Sequence, residues 1–177
     1  NIINIIKRYS FNLYIMGAGI LPIAIHNQKV YLLIGKEHDE KKWSDFGGST
    51  EYNETAFNTA IREGCEELNG FLGCKSQLSK LVRKNMLTHI NKNNYTSFLF
   101  QIEYDEKLPI YFNKNSKYIR NKFPELINTN GNFEKSEIKW INIDELHKYR
   151  RTFRIFYKSI VFEIIKYKKD IKSYLKT

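Results

Sequence analysis

A chain of 177 residues and 21.1 kDa fits one domain, or a domain with one appended element, and 42% hydrophobic residues with 3 Pro describe a folded protein rather than a disordered tail. No apolar run reaches the ~18 residues of a membrane-spanning helix, 2 Cys build neither a disulfide scaffold nor a cysteine zinc site, and no secretory signal is read, so an intracellular, cytoplasmic protein is expected. The net charge of +10 suits a polyanionic partner such as nucleic acid or a phosphate-rich small molecule, although an excess of Lys, Asn, Ile, Tyr and Phe, which AT-rich codons encode, is a competing source of that charge.

Residues 13–25 (LYIMGAGILPIAI) and 29–35 (KVYLLIG) predict two core strands, joined at hairpin length by His26, Asn27 and Gln28. A polar loop over 36–42 leads to Trp43-Ser44-Asp45-Phe46-Gly47-Gly48, where paired glycines mark a backbone that needs freedom or close approach. From 54 to 68, Phe57, Ile61, Gly64 or Cys65, and Leu68 recur at helical steps, and Asn69-Gly70 predicts a left-handed stop. Residues 95–104 and 138–143 predict further strands, Asp144-Glu145 opens a short helix, and the long stretch 106–137 is expected to hold a small helix within 116–127. Phe153, Phe156, Ile160, Ile164, Tyr167, Ile171 and Leu175 form a helical stripe, with Lys158, Lys166, Lys169, Lys172 and Lys176 mostly off it, which predicts a basic C-terminal helix over 153–175. Strands alternating with helices predict an α/β layer structure.

Glu63, Glu66 and Glu67 share one face of the predicted helix, around one turn. Clustered carboxylates repel unless a cation sits among them, and oxygen-only ligands suit hard ions such as Mg2+ or Mn2+; the alternative is a solvated acidic face. The four histidines are scattered and make no metal spacing.

Read as a unit, Gly48, five residues, Glu54, seven residues, Arg62-Glu63, two residues and Glu66-Glu67 resemble the Nudix box, the signature of the Nudix hydrolase superfamily. Six fixed positions would coincide by chance on the order of once in 10⁵ chains of this length. The flanks are similar too: Gly19 in an apolar strand, Leu32-Leu33-Ile34-Gly35-Lys36 ending the next, and Trp43 five residues before Gly48, so that the resemblance covers residues 13–150. Gly64 stands where the family has an apolar residue, Asn69-Gly70 where it has Gly and an apolar residue, and Phe46 where Pro is frequent. Gly64 is expected to permit close packing under the helix, and Asn69 is the best non-Gly substitute for a left-handed cap.

The resemblance implies a single domain over 1–177: an α/β/α sandwich around a mixed β-sheet with an added basic C-terminal helix. It implies hydrolysis of a diphosphate linkage with Mg2+ or Mn2+, catalysed by Glu63, Glu66, Glu67 and Arg62. Glu66 and Glu67 would be the main ligands, Glu63 a ligand or an aid to water deprotonation, and the Gly48 carbonyl would complete the shell. Glu54 with Arg62, and Gly47, would support the loop. Glu137, Glu134 and Glu103 are candidates for a further carboxylate, and Trp43 and Lys36 for substrate contact.

The superfamily's substrates run from nucleoside triphosphates, nucleotide sugars and ADP-ribose to diphosphoinositol phosphates and the mRNA cap. The Pro about 15 residues beyond the box that often marks ADP-ribose enzymes is absent, Asn85 and Met86 lying there. The AT-rich composition is similar to that of large DNA viruses or AT-rich parasites, some of which decap mRNA with such enzymes, and a viral protein would act in the host cytoplasm. Capped RNA is the favoured single substrate, small nucleotides or diphosphoinositol phosphates the alternatives; DNA and membranes are not expected partners, and monomer and homodimer stay open. A track for RNA is available where Lys107, Lys114, Lys117, Arg120 and Lys122 interleave with Tyr111, Phe112, Tyr118 and Phe123, followed by Arg150, Arg151 and Arg154; the alternative is that these aromatics pack onto the core. The competing class is a Nudix-like module that binds RNA or protein without hydrolysis, which clustered carboxylates would not serve.

Overall fold

A computed structural model describes residues 17–127 and 131–175, so the expected start of the first strand at 13–16 lies outside the described residues. Strands β1 (Gly17–His26) and β2 (Lys29–Glu37) form a hairpin whose two turn residues, Asn27 and Gln28, have φ of 47° and 61°. That is the two-residue turn whose twist matches the flanking strands, and Asn tolerates the left-handed backbone best after Gly.

Among the described residues seven strands form one mixed sheet: β1, β2, β3 (Trp43–Ser44), β4 (Phe46–Ser49), β5 (Met86–Lys92), β6 (Tyr95–Gln101) and β7 (Lys135–Asn142). The order is β3-β2-β1-β6-β5, with β4 paired to β1 and β7 to β2; only β1 and β6 run parallel. Helices α1 (Ala56–Glu67), α2 (Lys75–Asn85) and α3 (Lys107–Lys122) lie on one face, over a core that includes Ala18, Ile20, Leu33, Phe46, Leu78 and Phe112. A 3-10 stretch (Ile143–Thr152), α4 (Lys158–Lys166) and α5 (Lys168–Tyr174) cover the other, over Leu21, Ile23, Leu32, Tyr157, Ile160 and Ile164. Alternate β1 side chains thus enter opposite cores, which is why this strand reads as a continuous apolar run rather than as an alternating one. The expected sandwich is the observed architecture.

Four elements differ from what the sequence predicts. The small helix expected within 116–127 is the longer α3, which begins at Lys107 and accommodates Pro109 in its first turn, where an N–H has no helical partner to lose. α2 and β5 were not anticipated: α2 buries only Leu78 and Val82, and β5 is a largely exposed edge strand, so neither carries a strong apolar period. The single helix expected over 153–175 is divided. Phe153 bridges to Trp43 in strand fashion, the Arg154 amide donates to the Trp43 carbonyl at 2.9 Å, and the helix that starts at Lys158 breaks at Tyr167. No helix among the described residues is long and apolar enough to cross a membrane.

Candidate active site

The site starts from how closely α1 lies on the sheet. A Cβ on Gly64 would stand 2.4 Å from Cδ1 of the buried Ile20, so glycine lets the helix approach β1 at this distance, the close packing expected of a glycine in mid-helix. Thr55 caps the helix by accepting from the Asn58 amide at 3.2 Å. At the other end Asn69 has φ of 50° and Gly70 of 72°, the left-handed stop that was predicted. Asn69 does more than a Gly could: its Oδ1 accepts from the Phe133 amide at 3.0 Å and ties the loop before β7 to the end of α1.

Arg62 organises the motif. Its Nε donates to Glu54 Oε1 at 2.9 Å, its Nη2 to Glu54 Oε2 at 3.0 Å and the Ser49 carbonyl at 2.9 Å, and its Nη1 to Glu63 Oε1 at 2.7 Å and Glu66 Oε2 at 3.3 Å. Glu54 also accepts from the Glu51 amide and the Thr59 hydroxyl. One guanidinium therefore binds the loop after β4 to the first turns of α1 and holds two carboxylates on its far side. The Arg62 hydrogen bonds hold the Glu54 carboxyl down at about 2, and Glu54 in turn raises the Arg62 pKa above its ordinary value.

The three clustered carboxylates have different surroundings. Glu63 packs directly on Gly48, where a Cβ would stand 2.6 Å from its carboxyl carbon, and Glu66 borders Gly131 with its side chain 25% exposed. Burial, opposed by Arg62, raises the Glu63 pKa. Glu67 is only 2% exposed. It accepts from the Gly47 amide at 2.7 Å and meets the Lys135 Nζ at 3.2 Å. Burial pushes its carboxyl well above the usual range, opposed by Lys135.

Lys135, which opens β7 and has no sequence signal that marks it, also belongs to the site. It is fully buried, donating to Glu37 and, at 2.9 Å, to Ser44 Oγ. Burial alone would lower its pKa, but the Glu67 and Glu37 carboxylates hold it above the ordinary value. Arg154 donates to the same Glu37 at 3.0 Å and to Glu40 at 2.6 Å. A second internal network lies beside this one: the buried Asp45 accepts from Tyr95 at 2.7 Å and Ser97 at 2.6 Å, and burial pushes its carboxyl up to about 6.

Of the candidates outside the motif, Glu134 is half-buried and places a carboxylate oxygen within 4.8 Å of those of Glu67 and Glu37. Glu137 is exposed and pairs with Lys36 at 3.2 Å, and Glu103 is exposed beyond the end of β6. Trp43, expected as a substrate contact, is buried with the Lys139 ammonium 4.2 Å from its ring centroid; as the anchor between β3 and Phe153 it has no face open to a base. Two clefts flank the group. One of about 290 Å³ is lined by Gly47, Gly48, Ser49, Tyr95, Arg154 and Phe156, and an acidic one of about 240 Å³ by Glu37, Glu40, Glu134 and Arg154, so Arg154 stands between them.

Oxygen-only donors suit a hard divalent cation, but the carboxylates whose oxygens lie within 4.8 Å of one another among the described residues are Glu37, Glu67 and Glu134, with the Lys135 ammonium against two of them, and Glu63 and Glu66 stand outside that group. Oε2 of Glu63 and Oε1 of Glu66 accept no hydrogen bond among the described residues, and burial makes the charged forms of Glu63, Glu67 and Glu134 costly without added positive charge.

No protein-family model and no curated protein matches the chain. Solved structures do match in fold. An Ap4A hydrolase of C. elegans in a binary complex superimposes with a TM-score of 0.51 at 12% identity, covering 90% of this chain and 98% of that one. The Nudix hydrolase RenU of M. smegmatis superimposes with a TM-score of 0.56 at 14% identity, covering 88% and 86%. With that sheet order and those flanking helices, the chain has the fold of these two hydrolases, and the motif that resembles the Nudix box lies on the loop after β4 and on α1.

Proposed function

We propose that the chain is a hydrolase that cleaves a diphosphate linkage in a nucleotide-type substrate with the help of Mg2+ or Mn2+. The observation that carries this reading is the arrangement of Glu63 and Glu66 around the Arg62 Nη1, each with a carboxylate oxygen left over, on a helix packed against Gly48. Glu63, Glu66 and Glu67, with the Gly48 carbonyl, would hold the ion, and Glu134 is the best-placed further carboxylate. A divalent cation bound there supplies charge neutralisation on the diphosphate oxygens and acidifies a nearby water.

The chain's own residues do the rest. Arg62 fixes the carboxylates of Glu63 and Glu66, so that neither swings away before substrate arrives. Glu54 fixes Arg62, and Glu67 fixes the Gly47 amide, which together set the loop against the helix. Glu63, whose proton affinity burial raises, is the group suited to take a proton from the attacking water.

Capped RNA is the favoured substrate, supported by the net charge of +10 and by the basic, aromatic α3 next to the 131–134 loop. The test is a substrate panel with Mg2+ and separately Mn2+: capped RNA, free cap dinucleotide, nucleoside triphosphates, nucleotide sugars and diphosphoinositol phosphates, with Glu66→Gln as the blank. Cleavage of capped RNA in preference to the free dinucleotide is expected. Cleavage of small nucleotides alone would assign the positive charge to codon composition, and silence across the panel would transfer the reading to a binding module.

A further inference from the structure

The sequence left open whether the aromatic residues of 107–123 pack onto the core. The structure divides them. α3 turns Leu108, Phe112 and Ser116 inward, and Asn113 and Ser116 fasten that side to β7 through the Ile138 amide at 2.7 Å and the Lys135 carbonyl at 3.2 Å. The opposite side is a different surface. Lys107, Tyr111, Lys114, Tyr118 and Lys122 recur at steps of three and four residues and are all exposed, with Tyr111 at 57% and Tyr118 at 55%.

Tyr111 and Tyr118, the latter edge-on to the exposed Phe123 ring at 6.0 Å, each stand one helical turn from a lysine on either side, an unusual use of solvent-facing positions, where α3 has five basic residues and no acidic one. No ion pair among the described residues engages Lys107, Lys114 or Lys122. The stripe spans about 22 Å at the rise of an α-helix. The C-terminal end of α3 meets the candidate active site through its inward side: Arg120, which also bonds Ser116, donates to the carbonyls of Phe133 and, at 3.4 Å, Glu134, in the loop whose Gly131 lies against Glu66.

We propose that this face of α3 is a docking strip for single-stranded RNA, the lysines meeting phosphates and the tyrosines stacking on unpaired bases. Alternating charge and π-face is the chemistry of sequence-tolerant single-strand binding. An acidic protein partner would use the charges but leave flat, evenly spaced rings without a pocket to enter, and a membrane-binding helix would turn its apolar side outward, whereas here Leu108 and Phe112 are buried. The strip deepens the proposed RNA substrate and rests on that reading for which RNA it holds; its binding is measurable without turnover.

The test is fluorescence anisotropy of a labelled 12-nucleotide single-stranded RNA of mixed sequence with the full chain in EDTA. Tyr111→Ala with Tyr118→Ala should weaken binding at least thirtyfold, and Tyr111→Phe with Tyr118→Phe, which keeps the rings, should stay within threefold of the parent. Lys107→Gln with Lys114→Gln should flatten the plot of log affinity against log salt by roughly 1.4, and Lys80→Gln with Lys169→Gln, equally exposed elsewhere, should leave tyrosine-dependent binding intact. Alanine variants within threefold of the parent, an off-strip lysine pair that loses as much, duplex RNA bound as tightly as single strands, or preference for an acidic peptide or anionic vesicle would each overturn the proposal. Mg2+-dependent hydrolysis of a small nucleotide by the tyrosine variants separates the two readings. A failed strip leaves that activity standing, and a failed hydrolase assignment leaves RNA binding in EDTA standing.

Discussion

Replacing Lys135 by Met tests whether the buried charges are held together as described. The Nζ is fully buried against Glu37, Ser44 and, at 3.2 Å, Glu67. Without it Glu37 keeps Arg154 at 3.0 Å, but the 2%-exposed Glu67 keeps only the Gly47 amide, so the penalty falls on Glu67. An uncompensated buried charge costs about 3–5 kcal/mol, whereas removing both partners costs far less. Lys135→Met should therefore lose about 3–5 kcal/mol in urea unfolding at pH 7.5, and Lys135→Met with Glu67→Gln should recover more than half of it, because a Gln carbonyl still accepts from Gly47. The pH dependence has a definite sign. Loss of the cation raises the folded-state pKa of Glu67 further, so the folded state binds the extra proton and the deficit shrinks as pH falls towards the ordinary carboxylate value. A loss under about 1 kcal/mol that does not vary with pH would mean that Glu67 is not held by the Lys135 charge.

Glu54→Gln removes an acid whose folded pKa of about 2 lies below its ordinary value of 4.5; the parent should lose roughly 2 kcal/mol as pH falls through that window, after allowance for solvent screening, and the variant should lack this limb in acid unfolding monitored by circular dichroism. Asp45→Asn has the opposite sign. Because burial lifts Asp45 from 3.8 to about 6, the parent's stability should fall by about 3 kcal/mol as pH rises across that interval, and the difference between variant and parent should trace that slope in thermal melts. Gly64→Ala gains up to about 1 kcal/mol of helix propensity but forces a Cβ to 2.4 Å from Ile20 Cδ1; a net loss of about 1–2 kcal/mol is expected, relieved in part by Ile20→Val, and a stabilised variant would show that α1 is free to lift.

What was legible in the sequence is what depends on local spacing. The α1 carboxylates and the Asn69 stop fall within one helix and its cap, so a periodic reading finds them, whereas the Glu54–Arg62 clamp was implied by the resemblance to the Nudix box. Lys135, Glu37 and Ser44 meet from three strands with 98 and 91 residues between partners, and no periodicity links them. A lone Lys opening an apolar strand looks like a surface residue until the sheet order brings β7 beside β2. The C-terminal stripe gave the right inward residues, Ile160, Ile164, Ile171 and Leu175, but not the break at Tyr167, because a stripe records which side is buried and not whether the backbone hydrogen bonds continue. The exposure of Tyr111 and Tyr118 against the burial of Phe112 was likewise invisible without knowing which side of α3 meets β7.

If the carboxylates on α1 drive metal-dependent cleavage of a diphosphate linkage, Glu66 is the residue at which this shows most cleanly. Its side chain is 25% exposed and its contact with Arg62 is the long one at 3.3 Å, so Glu66→Gln should fold with an unchanged melting temperature, unlike a change at the buried Glu67. Hydrolysis of the best panel substrate with Mg2+ should fall by roughly a hundredfold or more in this variant, about 3 kcal/mol of transition-state stabilisation, while Glu137→Gln stays near the parent rate. A Glu66→Gln protein that folds normally and cleaves at the parent rate would show that the α1 carboxylates do not carry the hydrolysis.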